Sequence, residues 1–310
     1  MSQENEVETT GHVWDGDLQE YNNPLPRWWI WGFYASVAFA IVYWFIYPSW
    51  PVAGHFLTGF DTVTYVNNKG EKKTVHWNSR AELMANMNQY AAKQKPYFDK
   101  IAATPFKKIK ADPGLNDFIA SSGRTLFADN CAACHQAGGQ GKIGFAPNLT
   151  DDDWLHGGTY KAIQQSIVNG REGVMPAKGL DPNMTDKQAT ALANYVLSLS
   201  GEPHDATLVA QGSALFHGAA GCFSCHGANA KGNQLIGSAN LTDKIWLWAS
   251  SPGAQTKAAK VEAVKQVILT GINDPNSIHK GVMPAWKGRL SGEQIKVLTA
   301  YVHDTLGGGE

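Results

Sequence analysis

Two short segments, Cys131-Ala-Ala-Cys134-His135 and Cys222-Phe-Ser-Cys225-His226, hold all four cysteines of this 310-residue chain. Each sits inside a longer run of landmarks that recurs in the same order. Gly123 and Phe127 precede the first segment; Asn148-Leu149-Thr150-Asp151, Trp154, Gly173-Val174-Met175-Pro176-Ala177 and Leu192-Ala-Asn-Tyr195-Val196 follow it. Gly212 and Phe216 precede the second; Asn240-Leu241-Thr242-Asp243, Trp246, Gly281-Val282-Met283-Pro284-Ala285 and Leu298-Thr-Ala-Tyr301-Val302 follow it. The offset is 91 at the cysteines, 92 at the tryptophans and 108 at the methionines. The second copy therefore carries an insertion around residues 251–260 and 273–280. An internal repeat of this kind implies two copies of one structural unit, here residues 116–201 and 205–310.

Cys-x-x-Cys-His is the attachment pattern for a c-type haem. Thiols three residues apart on a helical turn share one face and reach the two vinyl groups of one porphyrin. The adjacent histidine, His135 or His226, then binds iron from below. A zinc site needs two such pairs converging or downstream histidine pairs, and a thioredoxin-like pair needs a strand-to-helix setting in one copy; here each pair has its own histidine in its own repeat. The sequence thus calls for two covalently bound haems c, through Cys131 and Cys134 and through Cys222 and Cys225.

Met175 and Met283 stand in identical Gly-Val-Met-Pro-Ala frames, in a chain with six methionines. They are the expected sixth iron ligands; Met184, His156 and His279 have no counterpart in the other copy. The spacing suits a methionine that serves its own repeat's haem and one that serves its neighbour's equally well. His/Met ligation raises the reduction potential and closes the iron to outside ligands, which favours electron transfer over oxygen or peroxide chemistry. A haem domain of about 80 residues builds little core alone, so the haem completes it. Gly123 with Phe127, and Gly212 with Phe216, read as one face of a helix that another helix crosses closely. Thr185-x-x-Gln188 and Ser291-x-x-Gln294 read as capping boxes opening the last helix of each copy. Trp154 and Trp246 are candidates for a haem propionate contact or a wedge at the haem edge. Pro147, or its counterpart Ala239, is a candidate carbonyl partner for the proximal histidine. Asn148-Leu-Thr150 and Asn240-Leu-Thr242 match a glycosylation sequon but lie inside the haem pattern.

Ahead of the repeats, residues 1–27 are polar and acidic. No charge appears from Trp28 to Trp50, 23 positions that as a helix span a bilayer core of about 30 Å. Six of the 11 tryptophans lie between Trp14 and Trp50, clustered towards the ends of this run as interfacial belts are. The run is longer than a signal-peptide core and follows an acidic segment, so it reads as an uncleaved single-pass anchor over 28–50. Residues 51–115 read as a spacer: a hairpin around 67–70, a helix opened by a Ser79-x-x-Glu82 capping box and running to about Lys95, then breaks at Pro96, Pro105 and Pro113. Arg27 marks residues 1–27 as cytoplasmic, and haem attachment outside the cytoplasmic membrane puts residues 52–310 on the periplasmic side. A net charge of −1 gives no reason to expect a nucleic-acid partner. The fold class expected is mainly α: one transmembrane helix followed by two tandem class I-like cytochrome c domains.

The Asn23-Pro24-Leu25-Pro26-Arg27-Trp28-Trp29 run, the span straight after it and the two haem domains together resemble the dihaem cytochrome c subunit of bacterial cbb3-type cytochrome c oxidase. That resemblance covers nearly the whole chain. It implies thioether attachment at Cys131, Cys134, Cys222 and Cys225, proximal ligation by His135 and His226, and axial ligation by Met175 and Met283. It also implies an inner-membrane complex with a catalytic haem b/copper subunit and a monohaem cytochrome c subunit, fed by soluble periplasmic cytochrome c, in a proton-pumping respiratory oxidase. The chain itself carries no residues for oxygen chemistry. The readings that share its haem domains are a membrane-tethered dihaem carrier, a cytochrome subunit of a dehydrogenase and, against the matched methionines, a dihaem peroxidase.

Overall fold

The computed structural model describes residues 8–249 and 256–309, and its chain divides into two units, residues 1–94 and 95–310. Glu4 and Glu6 of the acidic N-terminal segment, and residues 251–255 of the insertion, lie outside the described residues.

The first unit opens with a hairpin, β1 (Thr9–Trp14) against β2 (Leu18–Tyr21), in a segment expected only to be polar. Asp15 and Gly16 take positive φ at its turn. Helix α1 (Arg27–Ile46) follows, with none of its residues buried. Its 20 residues rise about 30 Å, enough to cross a bilayer core. The helix stops four residues short of the expected Trp50. Pro48 forces the residue before it out of the helical region, and Tyr47 is extended at φ −108° and ψ 164°. The chain then forms the short hairpin of β3 (Ser49–Val52) and β4 (His55–Leu57), and Trp50 packs edge-on to Trp44 at 4.8 Å.

The hairpin expected around 67–70 is β5 (Thr62–Val66) and β6 (Lys72–His76), in register from Thr62 with His76 to Val66 with Lys72. Its turn is held by Asn67, whose Oδ1 accepts from Lys69 N and Glu71 N, both at 2.9 Å. Helix α2 (Ser79–Ala103) corrects two expectations. Its cap is Asn78, whose Oδ1 accepts from Ala81 N at 2.9 Å, rather than Ser79. It also runs through Pro96 to Ala103, because a proline within a helix forfeits one backbone bond without ending the helix when its flanks hold.

The second unit holds α3 (Phe106–Ala111), α4 (Pro113–Asn130), the one-turn α5 (Ala132–His135), α6 (Tyr160–Asn169), α7 (Asp186–Leu199), α8 (Ala206–His217), α9 (Phe223–His226), α10 (Lys257–Thr270) and α11 (Gly292–Ala300), which runs into a π-helical turn, Tyr301–Thr305. Both expected capping boxes form, Thr185 with Gln188 and Ser291 with Gln294. The apolar residues gather into two cores. The first joins Ile119 and Phe127 of α4 and Ile163 and Ile167 of α6 to Leu298 of α11 and Val302. The second joins Leu192 and Val196 of α7 to Phe216 of α8 and Val264 and Ile268 of α10.

Each of these two bodies draws on residues of both repeat copies, 116–201 and 205–310. Each takes its closing helix from the other copy. Gly123 on α4 lies under Tyr301, where a Cβ would sit 2.7 Å from the tyrosine side chain, and Gly212 on α8 lies under Ala191 and Tyr195 of α7. The ring pairs Phe127 with Tyr301 (5.8 Å) and Tyr195 with Phe216 (5.4 Å) repeat the exchange. The second body is one continuous stretch, from the Met175 segment through α7, α8 and α9 to α10. The first is split around it. Asn273 Nδ2 donates to the Gly173 carbonyl at 2.7 Å, closing the nested stretch at its ends.

Candidate haem sites

Each Cys-x-x-Cys-His segment forms one helical turn after a long helix, α5 after α4 and α9 after α8. Backbone bonds from His135 N to Cys131 O (2.9 Å) and from His226 N to Cys222 O (3.0 Å) close the turns. The histidine rings are held alike. His135 Nδ1 lies 2.9 Å from the Pro147 carbonyl and His226 Nδ1 lies 2.9 Å from the Ala239 carbonyl. A carbonyl only accepts, so Nδ1 carries the proton and Nε2 keeps its lone pair. Burial lowers both histidine pKa values, partly offset by that carbonyl bond, which favours the neutral imidazole that ligation needs. Burial pushes the Cys131 and Cys222 thiols up to about 11.

The carbonyl-bearing loops are matched too. Asn148 Oδ1 accepts from Thr150 N (3.0 Å) and Oγ1 (2.8 Å); Asn240 Oδ1 accepts from Thr242 N (3.0 Å) and Oγ1 (2.7 Å). The two asparagines lock the turns that aim Pro147 and Ala239.

A cleft of about 420 Å³, counted with the solvent at its mouth, opens over the first turn. Cys131, His135, Phe127 and Trp154 line it together with Met283 and Leu298. A thiol, a neutral imidazole and a thioether thus face one apolar cavity, a donor set suited to a c-type haem. Met175 does not line this cavity. It lies in the other body, its backbone paired with Ile272 (3.0 and 2.9 Å), while Met283 is paired with Arg171 (2.9 Å both ways). Cys222 and Trp246 pack on the second core, where Met184 is buried. Trp154 donates its indole N–H to the Gly308 carbonyl. The His156 ring lies against Gly237, and the His279 ring is edge-on to Trp248 at 5.8 Å. Among the described residues no cluster of histidine, cysteine and carboxylate side chains suits a bare metal ion, and the two cysteine pairs belong to different cores.

Sequence reasoning passed over the glycines that seat the methionine segments. Gly170 and Gly271 end α6 and α10 at φ +70° and +71°. A Cβ on Gly170 would meet Ala285 N at 2.7 Å and Pro284 C at 2.8 Å; one on Gly271 would meet Ala177 N at 2.8 Å. Only glycine combines that φ with that approach. Their equal placement at helix ends was a readable signal, but its partner lies in the other repeat.

Cytochrome c-type domains behind an apolar helix define the class. Residues 119–196 and 207–302 match the family described as cytochrome c oxidase, cbb3-type, subunit III, and residues 6–54 match the N-terminal domain of cytochrome oxidase-cbb3, FixP. The chain is 42% identical to the cbb3-type cytochrome c oxidase subunit FixP of Azorhizobium caulinodans, over 97% of this chain and 94% of that protein. It is 41% identical to the subunit CcoP of Rubrivivax gelatinosus (95% and 83%) and 34% identical to that of Cereibacter sphaeroides (98% and 96%). The chain belongs to the family of cbb3-type cytochrome c oxidase subunit III, a haem c protein of electron transfer, and α1 fits membrane anchoring.

Proposed function

We propose that this chain is a membrane-anchored electron-transfer subunit carrying two covalently attached haems c, one on Cys131 and Cys134 and one on Cys222 and Cys225. The ligand pairs are crossed: His135 with Met283, and His226 with Met175. The observation that carries this reading is Met283 lining the cavity of Cys131 and His135, with Met175 in the other body. Bound there, each haem supplies a one-electron iron couple. The protein's part is to exclude water with Phe127, Trp154 and Leu298, to fix the tautomer of each histidine through Pro147 or Ala239, and to hold each methionine segment against a glycine. With a histidine and a methionine to hold each iron, the chain would pass electrons and leave oxygen chemistry to a partner.

The partners of this reading are a catalytic haem b/copper subunit and a monohaem cytochrome c subunit, with soluble cytochrome c as donor. The haem domains sit on the periplasmic side of a bacterial inner membrane, with residues 1–27 inside. Purification from membranes in mild detergent tests the complex: haem b, copper and cyanide-sensitive oxygen uptake from reduced cytochrome c are expected to co-purify. Haem c alone, with no oxygen uptake, would leave a tethered dihaem carrier.

A further inference from the structure

The two sites differ in charge at the matched positions 171 and 272. Ile163, Ile167 and Gly170 around α6 correspond, 101 residues on, to Val264, Ile268 and Gly271 around α10. At the same offset Ser166 corresponds to Val267, and Arg171 to Ile272. Ser166 lines the cavity that holds Cys131, His135 and Met283. Its hydroxyl donates to the Ala162 carbonyl at 3.0 Å and accepts from Arg171 Nε at 2.9 Å. The Arg171 backbone is bonded both ways to Met283. A partly buried arginine therefore stands beside this cavity, its guanidinium held by Ser166 and its backbone by Met283, two residues that line it. Among the described residues no carboxylate forms an ion pair with it. Four of its five N–H donors are left to the Nη groups, and a half-buried cation of this kind calls for an anion. A haem brings two, its propionates.

We propose that Arg171 is a positioning residue for the haem of the Cys131 site: its Nη groups take a propionate, and its charge favours the reduced iron. The inference rests on the crossed His/Met reading. The second site, with Val267 and Ile272 in these places, has no such cation. At these positions the charge raises the potential of the His135 centre alone. Removing a unit charge at a cavity edge of effective dielectric about 20 changes the reduced-to-oxidised ratio roughly tenfold, or ~59 mV for a one-electron couple.

The test is an equilibrium redox titration of the full-length protein in its complex, with haem c counted as the pyridine haemochrome. Arg171→Gln is expected to lower one wave by that amount and leave the other in place, and the wave moved is the one that Met283→His moves. Arg171→Lys, which keeps the charge, is expected to hold that wave within about twofold of the parent ratio. Unmoved waves in Arg171→Gln beside a responsive Met283→His overturn the arginine assignment alone. So do equal shifts of both waves, or a Lys variant as low as the Gln variant. If Arg171→Gln takes up no haem, the Lys variant decides by the same threshold. Fewer than two haems in the unsubstituted chain, or no response to Met283→His, overturns the ligand reading beneath it.

Discussion

Gly170→Ala distinguishes crossed from direct ligation without assigning either haem spectroscopically. Gly170 lies five residues before Met175 in sequence, yet its missing side chain makes room for the backbone of residues 283–285. An alanine at φ +70° and ψ −179°, a region essentially confined to glycine, costs about 1–3 kcal/mol for its backbone alone. Its Cβ would overlap the Met283 carbonyl oxygen and lie 2.7 Å from Ala285 N and 2.8 Å from Pro284 C, so that segment must withdraw. A combined penalty of about 2 kcal/mol on the seated Met283 segment multiplies the population with that methionine off the iron about thirtyfold. Loss of the methionine lowers the potential and opens the iron. The assay is a redox titration beside carbon monoxide binding to the reduced protein. Gly170→Ala should move the wave that Met283→His moves, and Gly271→Ala the wave that Met175→His moves. Trp154→Phe, at the same cavity, should report on the Met283 wave. If Gly170→Ala instead follows Met175→His, each methionine serves its own repeat and the crossed assignment is wrong.

Two further outcomes follow from the same packing. Burial, then the charges of Asp243, Asp151 and Asp152, raises the Asp153 carboxyl to about 6. The unfolded chain releases that proton near 3.9, so the native state binds more protons between those values. Its stability should rise as pH falls from about 7 towards 4, and be lost as pH rises through 6. The full shift is worth about 3 kcal/mol, and solvent screening at this partly exposed site reduces it to about 1 kcal/mol. Asp153→Asn should therefore raise Tm at neutral pH and leave it unchanged at about pH 4; an unaltered pH slope in thermal melts would sink the account. In addition, residues 173–275 expressed alone with the haem-attachment machinery should yield a folded protein with one haem, because they hold a complete core and Met175. Residues 116–201 should not, since Phe127 and Gly123 then lack Tyr301; spectra showing the reverse would refute the nested topology.

Much of this was legible because it depends on local chemistry. The capping boxes at Thr185 and Ser291, the close crossing at Gly123 and Gly212, and the β5–β6 hairpin each need only a few adjacent residues. The N-terminal hairpin escaped notice because its turn signal, Asp15-Gly16, is buried in a run of acidic residues that reads as polar tail. At α2, Asn78 and Ser79 are both good caps, and sequence does not rank neighbours one position apart. The exchange of helices was illegible for a deeper reason. α7 and α11 present the same residues, Leu192, Tyr195 and Val196 against Leu298, Tyr301 and Val302, to the same kind of glycine-phenylalanine face. Periodicity states which face a helix buries, not which of two equivalent partners receives it.

Connectivity breaks that tie. Residues 200–205 alone join α7 to α8, whereas 55 residues (131–185) separate α4 from α7. α11 then lies 161 residues from α4 (131–291) in the crossed arrangement, against 74 from α8 (218–291) in the direct one. With closure scaling as the logarithm of loop length, the short α7–α8 connection outweighs the longer return of α11, and the crossed arrangement is favoured by about 1 kcal/mol. The difference is small, but α7 and α11 offer matching residues to matching faces, so a small difference is enough to bear on the choice. The α7–α8 pair is also the local one, and local helical hairpins form early. Once α7 is committed to α8, the slot on α4 stays empty until α11 fills it. The same step brings Met283 to the cavity of His135, so that methionine arrives only after the other body is closed.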